Sequence, residues 1–319
     1  MDEPYSALVT GGAGFIGSHL VEALTKICDR VIVLDDFSSG SHTNLSHIDC
    51  GIEIVEGSVC NLPFVKYFVD QVEVVYHLAT RCLVEGLENP QVMHEVNDIG
   101  TYNICLAAKD TLGTKIVYIG SSEEYGRQET FPIKETASMN PVSIYGMTKL
   151  IGEHYVSFFN KIYGVPAVII RPFNTFGPKH REDEYAAVIT DFMKKIEKNE
   201  QPIIYGDGKQ TRDFSYVTDI VDGILTLHHL KDGEIINIGS GKEVSLNDVA
   251  DIVVQTWSQN PHTKANPTYK KARIEDVTRL KADISLAESY GWKPKISLQK
   301  GIEKYVDYYK KTHLLWLKP

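Results

Sequence analysis

The chain has 319 residues, enough for about two domains or one large α/β unit. It is 43% hydrophobic and 24% charged with 13 prolines, which excludes a disordered, collagen-like or disulfide-scaffold protein. The 33 basic and 42 acidic residues give a net charge of −9, and no Lys/Arg run exceeds two. A general nucleic-acid binder is therefore excluded, and an anionic ligand must be held locally, by single arginines or helix amino termini.

In chain order, Met1-Asp2-Glu3-Pro4 lacks the basic start and long apolar stretch of a signal peptide. Ala7 to Thr10 reads as a strand, Gly17 to Lys26 as a helix and Arg30 to Leu34 as a strand. Further strands are expected at Glu53 to Val55, Val74 to Leu78, Lys115 to Ile119 and Ala167 to Arg171, with helices at Thr101 to Ala108 and Tyr145 to Tyr163. This alternation predicts an α/β fold with a doubly wound parallel Rossmann sheet. After Pro172 the elements shorten, and Gly177-Pro178, Gly206-Asp207-Gly208 and Gly239-Ser240-Gly241 punctuate them, with a helix from Val217 to Leu230. The expected division is a dinucleotide-binding part, 1–172 plus 214–239, and a smaller α/β carboxy-terminal substrate region, 173–213 plus 240–319. Apolar runs such as Val165 to Ile170 are far too short to span a bilayer. Cys28, Cys50, Cys60, Cys82 and Cys105 are odd in number and never two apart, which gives no zinc knuckle or redox pair. A cytoplasmic protein with free thiols, no metal and no membrane or nucleic-acid partner is expected.

Gly11-Gly12-Ala13-Gly14-Phe15-Ile16-Gly17 follows the first strand and opens a helix. Gly11 permits the tight turn, Gly14 lets backbone approach a diphosphate, and Gly17 allows close helix–sheet packing. The helix amino terminus offers that diphosphate unpaired N–H groups. A glycine pattern alone also marks an ordinary turn, but the second strand ends in Asp35-Asp36, 18 residues beyond Gly17. A carboxylate there accepts ribose hydroxyls and repels a 2′-phosphate, so NAD is expected rather than NADP.

Tyr145 and Lys149 are four apart on a predicted helix and share a face. A phenol is a poor base near neutrality unless a cation favours its phenolate, which Lys149 can do. Ser121, at the end of the Lys115 to Ile119 strand, is placed to hold an alcohol being oxidised.

With these motifs the chain resembles the extended short-chain dehydrogenase/reductases that modify nucleotide sugars. The resemblance runs through His77-Leu78-Ala79, Asn97 with Gly100-Thr101, Ser121-Ser122, Arg171-Pro172-Phe173-Asn174, Gly206 to Phe214, Asn237-Ile238-Gly239 and Gly291-Trp292-Lys293-Pro294. It implies that Tyr145 takes the proton of a sugar C4 hydroxyl held by Ser121 while hydride passes to NAD, with Lys149 on the nicotinamide ribose and Asn97 supporting the proton network. The implied NAD contacts extend to Phe15, Ile16, Asp36, Ser38, Gly40, Ser58, Val59, Leu78, Ala79, Thr80, Asn97 and Pro172. The implied partner is a nucleotide-diphosphate sugar, held by Arg81, Ser122, Asn174, Val188, Tyr205, Gln210, Arg212, Arg273 and Asp276. Arginines suit the diphosphate because the guanidinium fork matches phosphate oxygens. A homodimer through the two long helices is also implied.

The family divides beside Ser121. At the position of Glu123 the 4-epimerases usually carry small or hydroxylated residues, whereas the 4,6-dehydratases and UDP-glucuronate decarboxylases carry glutamate. Once C4 is a ketone, a carboxylate there can remove the C5 proton, after which the C6 hydroxyl leaves. A dehydratase is therefore the favoured expectation, with a 4-epimerase, a decarboxylase and a 4-keto-sugar reductase as alternatives. A non-catalytic NAD sensor is disfavoured, since such proteins commonly lose the tyrosine or lysine. Ser122 stands where dTDP-glucose dehydratases have aspartate and GDP-mannose dehydratases have serine. The string Ser121-Ser122-Glu123-Glu124-Tyr125-Gly126 also resembles GDP-4-keto-6-deoxymannose reductases, which generally prefer NADPH, against the reading of Asp35-Asp36. Ser58 replaces the family's usual adenine-binding aspartate. Arg81 is unusual as well, and would either meet a charged sugar substituent or pair with Glu85.

Overall fold

The computed structural model describes residues 5–314, apart from 112, 184–185 and 273–275. In Tyr5–Thr10 (β1), Ala7 and Val9 are buried on one side and Leu8 on the other. In Cys28–Asp35 (β2), Val31 and Val33 join the first core and Ile32 and Leu34 the second. A strand apolar on both faces needs both covered, which a parallel sheet with helical crossovers provides. Ile52–Glu56 (β3), Val74–His77 (β4), Lys115–Ile119 (β5) and Ala167–Pro172 (β6) follow. With Ile235–Ile238 they make a seven-stranded sheet, ordered Ile235–Ile238, β6, β5, β4, β1, β2, β3. Every neighbouring pair is parallel, so this is the doubly wound Rossmann sheet that the alternation predicts.

Phe15–Leu24 and Val217–Leu227 cover one face through Leu20, Val21, Leu24, Ile220 and Ile224. Gly100–Asp110 and Ile144–Tyr163 cover the other through Ile104, Val156 and Phe159. Because β1 lies between β4 and β2, the chain leaves it in opposite directions, and a crevice opens at the carboxyl ends of these strands.

The smaller region packs Val188–Glu197, Leu246–Ser258 and Leu298–Leu314 around Phe192, Val249, Ile302 and Tyr305. Its boundary is more interleaved than the sequence division. Ala287 and Trp292, placed there by that division, pack into the core of the sheet, where Trp292 Nε1 donates to the Asp219 carbonyl at 3.1 Å. Phe214 and Tyr216 lie conversely in the core of the smaller region. All five cysteines are free thiols. Among the described residues, no helix is long and apolar enough to cross a membrane.

Candidate active site

A cavity of about 650 Å³ runs along the crevice between the sheet and the smaller region. Its floor begins at the glycine turn. Gly11 has φ +69°, and a Cβ there would stand 2.7 Å from Ala79 N, so both conformation and space demand glycine. The turn is held against β4 by buried His77, whose ring bonds Thr10 Oγ1 at 2.7 Å and Thr101 Oγ1 at 2.9 Å. Burial drops the His77 pKa to about 3, so the ring is a neutral structural link. Gly14 is the N-cap of Phe15–Leu24 and offers no side-chain cap, and the first turn holds no acidic residue. The open N–H groups and positive end of the helix dipole therefore meet the cavity, where Gly14, Phe15, Ile16 and Gly17 line it.

Asp35 closes this end. Its Oδ2 accepts from Ala13 N at 2.8 Å and its Oδ1 from Phe37 N at 2.9 Å, tying the glycine turn to the end of β2 and leaving further lone pairs at the cavity. Burial pushes its pKa up, opposed by those two hydrogen bonds. A glycine cradle, an uncapped helix terminus and a carboxylate one strand away fit the diphosphate and adenosine ribose of NAD.

The reacting end lies where β5 and the helix Ile144–Tyr163 converge. Ser121 follows β5 and starts the tight turn Ser122–Glu124. Its Oγ accepts from Glu123 N at 3.2 Å, and Glu124 Oε1 accepts from Ser121 N at 2.6 Å. This reciprocal cap holds the Ser121 hydroxyl at the cavity. Ser143 caps the long helix by accepting from Gly146 N at 3.0 Å. That places Tyr145 in its first turn, hydrogen-bonded to Ser121, with Lys149 one turn on. Burial raises the Tyr145 pKa, and the Ser121 bond works against this. Burial lowers the Lys149 pKa to about 8, although the charges of Glu153 and Asp98 oppose this. The Lys149 ammonium lies 4.3 Å from the Tyr118 ring centroid.

Glu123 lines the same wall. Burial raises its pKa, Arg212 opposes that and Asp276 adds to it. Arg212 is ion-paired with Asp276, and its Nη1 donates to the Thr211 carbonyl at 2.9 Å. Gln210 Nε2 donates to the Tyr205 carbonyl at 2.6 Å and lies 3.4 Å from Asp276 Oδ2.

The cavity thus brings together Gly11, Gly14, Phe15, Ile16, Gly17, Asp35, Asp36, Ser38, Ser58, Val59, Leu78, Ala79, Thr80 and Pro172 with Ser121, Ser122, Glu123, Tyr145 and Lys149. Arg81, Asn174, Val188, Tyr205, Gln210, Arg212 and Asp276 complete its substrate side. Two expected cofactor residues stand behind the lining. Gly40 packs on the glycine turn, where a Cβ would meet Ala13 and Asp35 at 2.9 Å. Buried Asn97 accepts from Arg81 N at 2.8 Å and donates to Thr148 Oγ1 at 2.9 Å, bracing the wall. Arg273 lies outside the described residues. Both readings of Arg81 retain support: it pairs with Glu85 at 3.2 Å and with Asp36 at 3.4 Å while lining the cavity. Cys82, Lys179, His180 and Arg181 also line it and were missed. For the last three the signal is the basic triplet directly after Gly177-Pro178. Arg181 reaches Glu85 at 3.5 Å and Cys82 Sγ at 3.4 Å, so Glu85 bridges arginines from two loops.

Comparison with known proteins gives a consistent picture. The family described as GDP-mannose 4,6 dehydratase matches residues 8–305. A Methanocaldococcus jannaschii protein named "Putative UDP-glucose 4-epimerase" is 38% identical over 309 residues, 96% of this chain and 99% of the relative. UDP-glucuronic acid decarboxylase 1 of Arabidopsis thaliana is 34% identical over 94% of this chain and 68% of its own length. A dTDP-glucose 4,6-dehydratase from Streptomyces venezuelae, solved with NAD bound, superposes with a TM-score of 0.90 at 25% identity, covering 98% of each chain.

Proposed function

Because the chain belongs to the NAD-dependent nucleotide-sugar epimerases and dehydratases of the extended short-chain dehydrogenase/reductase family, we propose that it oxidises C4 of a nucleotide-diphosphate hexose and then eliminates water across C5 and C6, as a 4,6-dehydratase does. NAD, when bound, would supply the acceptor for the C4 hydride and its return to C6 of the unsaturated ketone. Gly11 to Gly17, Asp35, Asp36, Ala79 and Thr80 would hold it. Ser121 Oγ positions the C4 oxygen and Tyr145 takes its proton, while the Lys149 charge favours the phenolate. The resulting ketone acidifies C5–H, Glu123 removes that proton, and the C6–O bond breaks. Glu123 can pass the same proton to the departing hydroxide, so the elimination balances without the aspartate that Ser122 replaces, and the proton that Tyr145 took balances the one C5 regains when C6 receives the hydride.

The observation that carries this reading is the Glu123 carboxyl on the wall shared by Ser121 and Tyr145, its pKa raised by burial toward the range useful to a general base. A second reading, 4-epimerisation, is favoured by the 38% identity to the Methanocaldococcus protein across 96% of this chain. Incubation with NAD and UDP-, GDP-, dTDP- and CDP-hexoses and UDP-glucuronate, followed by mass spectrometry and NMR, separates them. Loss of one water supports the dehydratase. Unchanged mass with inverted C4 establishes the epimerase instead, and released carbon dioxide a decarboxylase.

The proposal includes a homodimer. Tyr102, Phe158, Ile162 and Tyr163 are 39%, 51%, 57% and 51% exposed on the two long helices, an apolar face that a second copy would cover. It also includes a cytoplasmic setting, consistent with five free thiols.

A further inference from the structure

Behind Ser121 lies a buried polar cluster that the proposed chemistry does not use. Glu124 is 0% exposed, enclosed between β5, β6 and the long helix. Its Oε1 accepts from Ser121 N at 2.6 Å, but its Oε2 has no donor. Arg171 Nε is 3.6 Å from that oxygen and already donates to Glu153 Oε2 at 2.8 Å, while Arg171 Nη2 donates to Glu153 Oε1 at 2.6 Å. The guanidinium fork is therefore committed to Glu153. Its Nη1 donates to Tyr125 Oη at 2.6 Å and to the Glu135 carbonyl at 3.0 Å.

The Glu153 carboxyl is close enough to Glu124 to push its pKa up, and two acids so placed can share a hydrogen bond only with a proton between them. Burial and then the charge of Glu153 push Glu124 far up. Burial would raise Glu153 too, but the Arg171 hydrogen bonds and charge outweigh it and hold Glu153 down. The groups facing Glu124 are Tyr145, Lys149 and Glu153 from the long helix, Tyr118 from β5, Arg171 from β6 and Tyr125 from its own turn, with Asp98 beyond Lys149 and His154 beyond Glu153.

We propose that Glu124 keeps its proton, donates it from Oε2 to Glu153, and so acts as a positioning residue: one neutral carboxyl fixes the backbone of Ser121 and ties it, through Glu153 and Arg171, to the helix that carries Tyr145 and Lys149. A neutral acid spans this gap without setting a second negative charge beside Glu153, which the Arg171 fork already pairs. An apolar side chain would leave the Ser121 N–H unpaired. The catalytic consequence rests on the roles proposed above for Ser121 and Tyr145, whereas the place of the proton does not.

Infrared difference spectroscopy of the full protein, wild type against Glu124→Gln, tests the proton directly. A protonated carboxyl band sensitive to D2O is expected in wild type and lost in Glu124→Gln, with Glu123→Gln as the control that retains it. No such difference overturns the proposal whatever sugar the enzyme uses. Kinetics test the positioning: Glu124→Val should lower kcat about tenfold with KM for the nucleotide sugar little changed. Glu124→Gln, whose amide can both accept from Ser121 and donate to Glu153, should recover most of that loss and leave the acid limb of the rate profile in place. If wild-type Glu124 were ionised, its charge would raise the Tyr145 pKa, and Glu124→Gln would move that limb to lower pH. Such a shift, or a loss in Glu124→Gln as large as in Glu124→Val, refutes the proposal. Should Glu124→Val not fold, the infrared result and the Glu124→Gln profile decide.

Discussion

Two glycines of one turn should fail in different ways. A Cβ on Gly17 would stand 2.2 Å from the Gly11 carbonyl oxygen and 2.9 Å from Gly12 Cα, both backbone atoms. Ordinary contact begins near 3.4 Å, so in Gly17→Ala the helix and the turn must part by about 1 Å, an overpacking that typically costs about 1–3 kcal/mol. At ~2–4 °C per kcal/mol for a large domain, the melting temperature should fall by about 2–12 °C. A Cβ on Gly14 meets only Gly11 O, at 3.1 Å, and Gly14 lines the cavity. Gly14→Ala should therefore melt within ~1 °C of wild type without ligand, because the added methyl mainly enters cavity space. Wild type at a hundred times its Kd for NAD gains about 2.7 kcal/mol from binding, and both variants should lose most of that gain. Melting curves with and without NAD, together with NADH fluorescence titration, measure both effects. If Gly17→Ala melted and bound like wild type, the closeness of turn and helix, and the cradle argued from it, would be wrong.

Other outcomes follow from the reacting end. Glu123→Gln should abolish loss of water yet leave transient NADH absorbance with the correct sugar, whereas Tyr145→Phe should abolish the absorbance as well; normal NADH formation in Tyr145→Phe would remove the assigned base. Lys149 must be charged to favour the phenolate, and its pKa is lowered to about 8. The charge is therefore present below that value and lost as pH rises through it, so kcat/KM should fall along an alkaline limb with an apparent pKa near 8. Lys149→Arg, charged throughout, should shed that limb even if its overall rate is low. The same shift makes folding stability rise with pH between about 8 and the unfolded value of 10.5, since only the unfolded lysine keeps its proton there. Phe158→Asp, placed on the exposed apolar face, should convert a dimer to a monomer in light scattering while the far-ultraviolet spectrum stays that of wild type.

Elements whose pattern is local were legible without coordinates. Alternating β-branched strands and helices specify a parallel sheet because a strand apolar on both sides has no other stable place. The spacing of Gly11, Gly14 and Gly17, the acidic end of β2 and the four-residue step from Tyr145 to Lys149 are geometric consequences of one turn and one helix. Relations between distant segments were not legible in this way. Only the folded chain pairs Arg212 with Asp276, bridges Arg81 and Arg181 through Glu85, sends Trp292 into the sheet core and leaves one buried oxygen of Glu124 without a hydrogen-bond donor. Sequence periodicity tells a residue which side of its own element it occupies. Charge state and partner choice depend on burial and on atoms tens of residues away, and those quantities exist only once the crevice has closed around them.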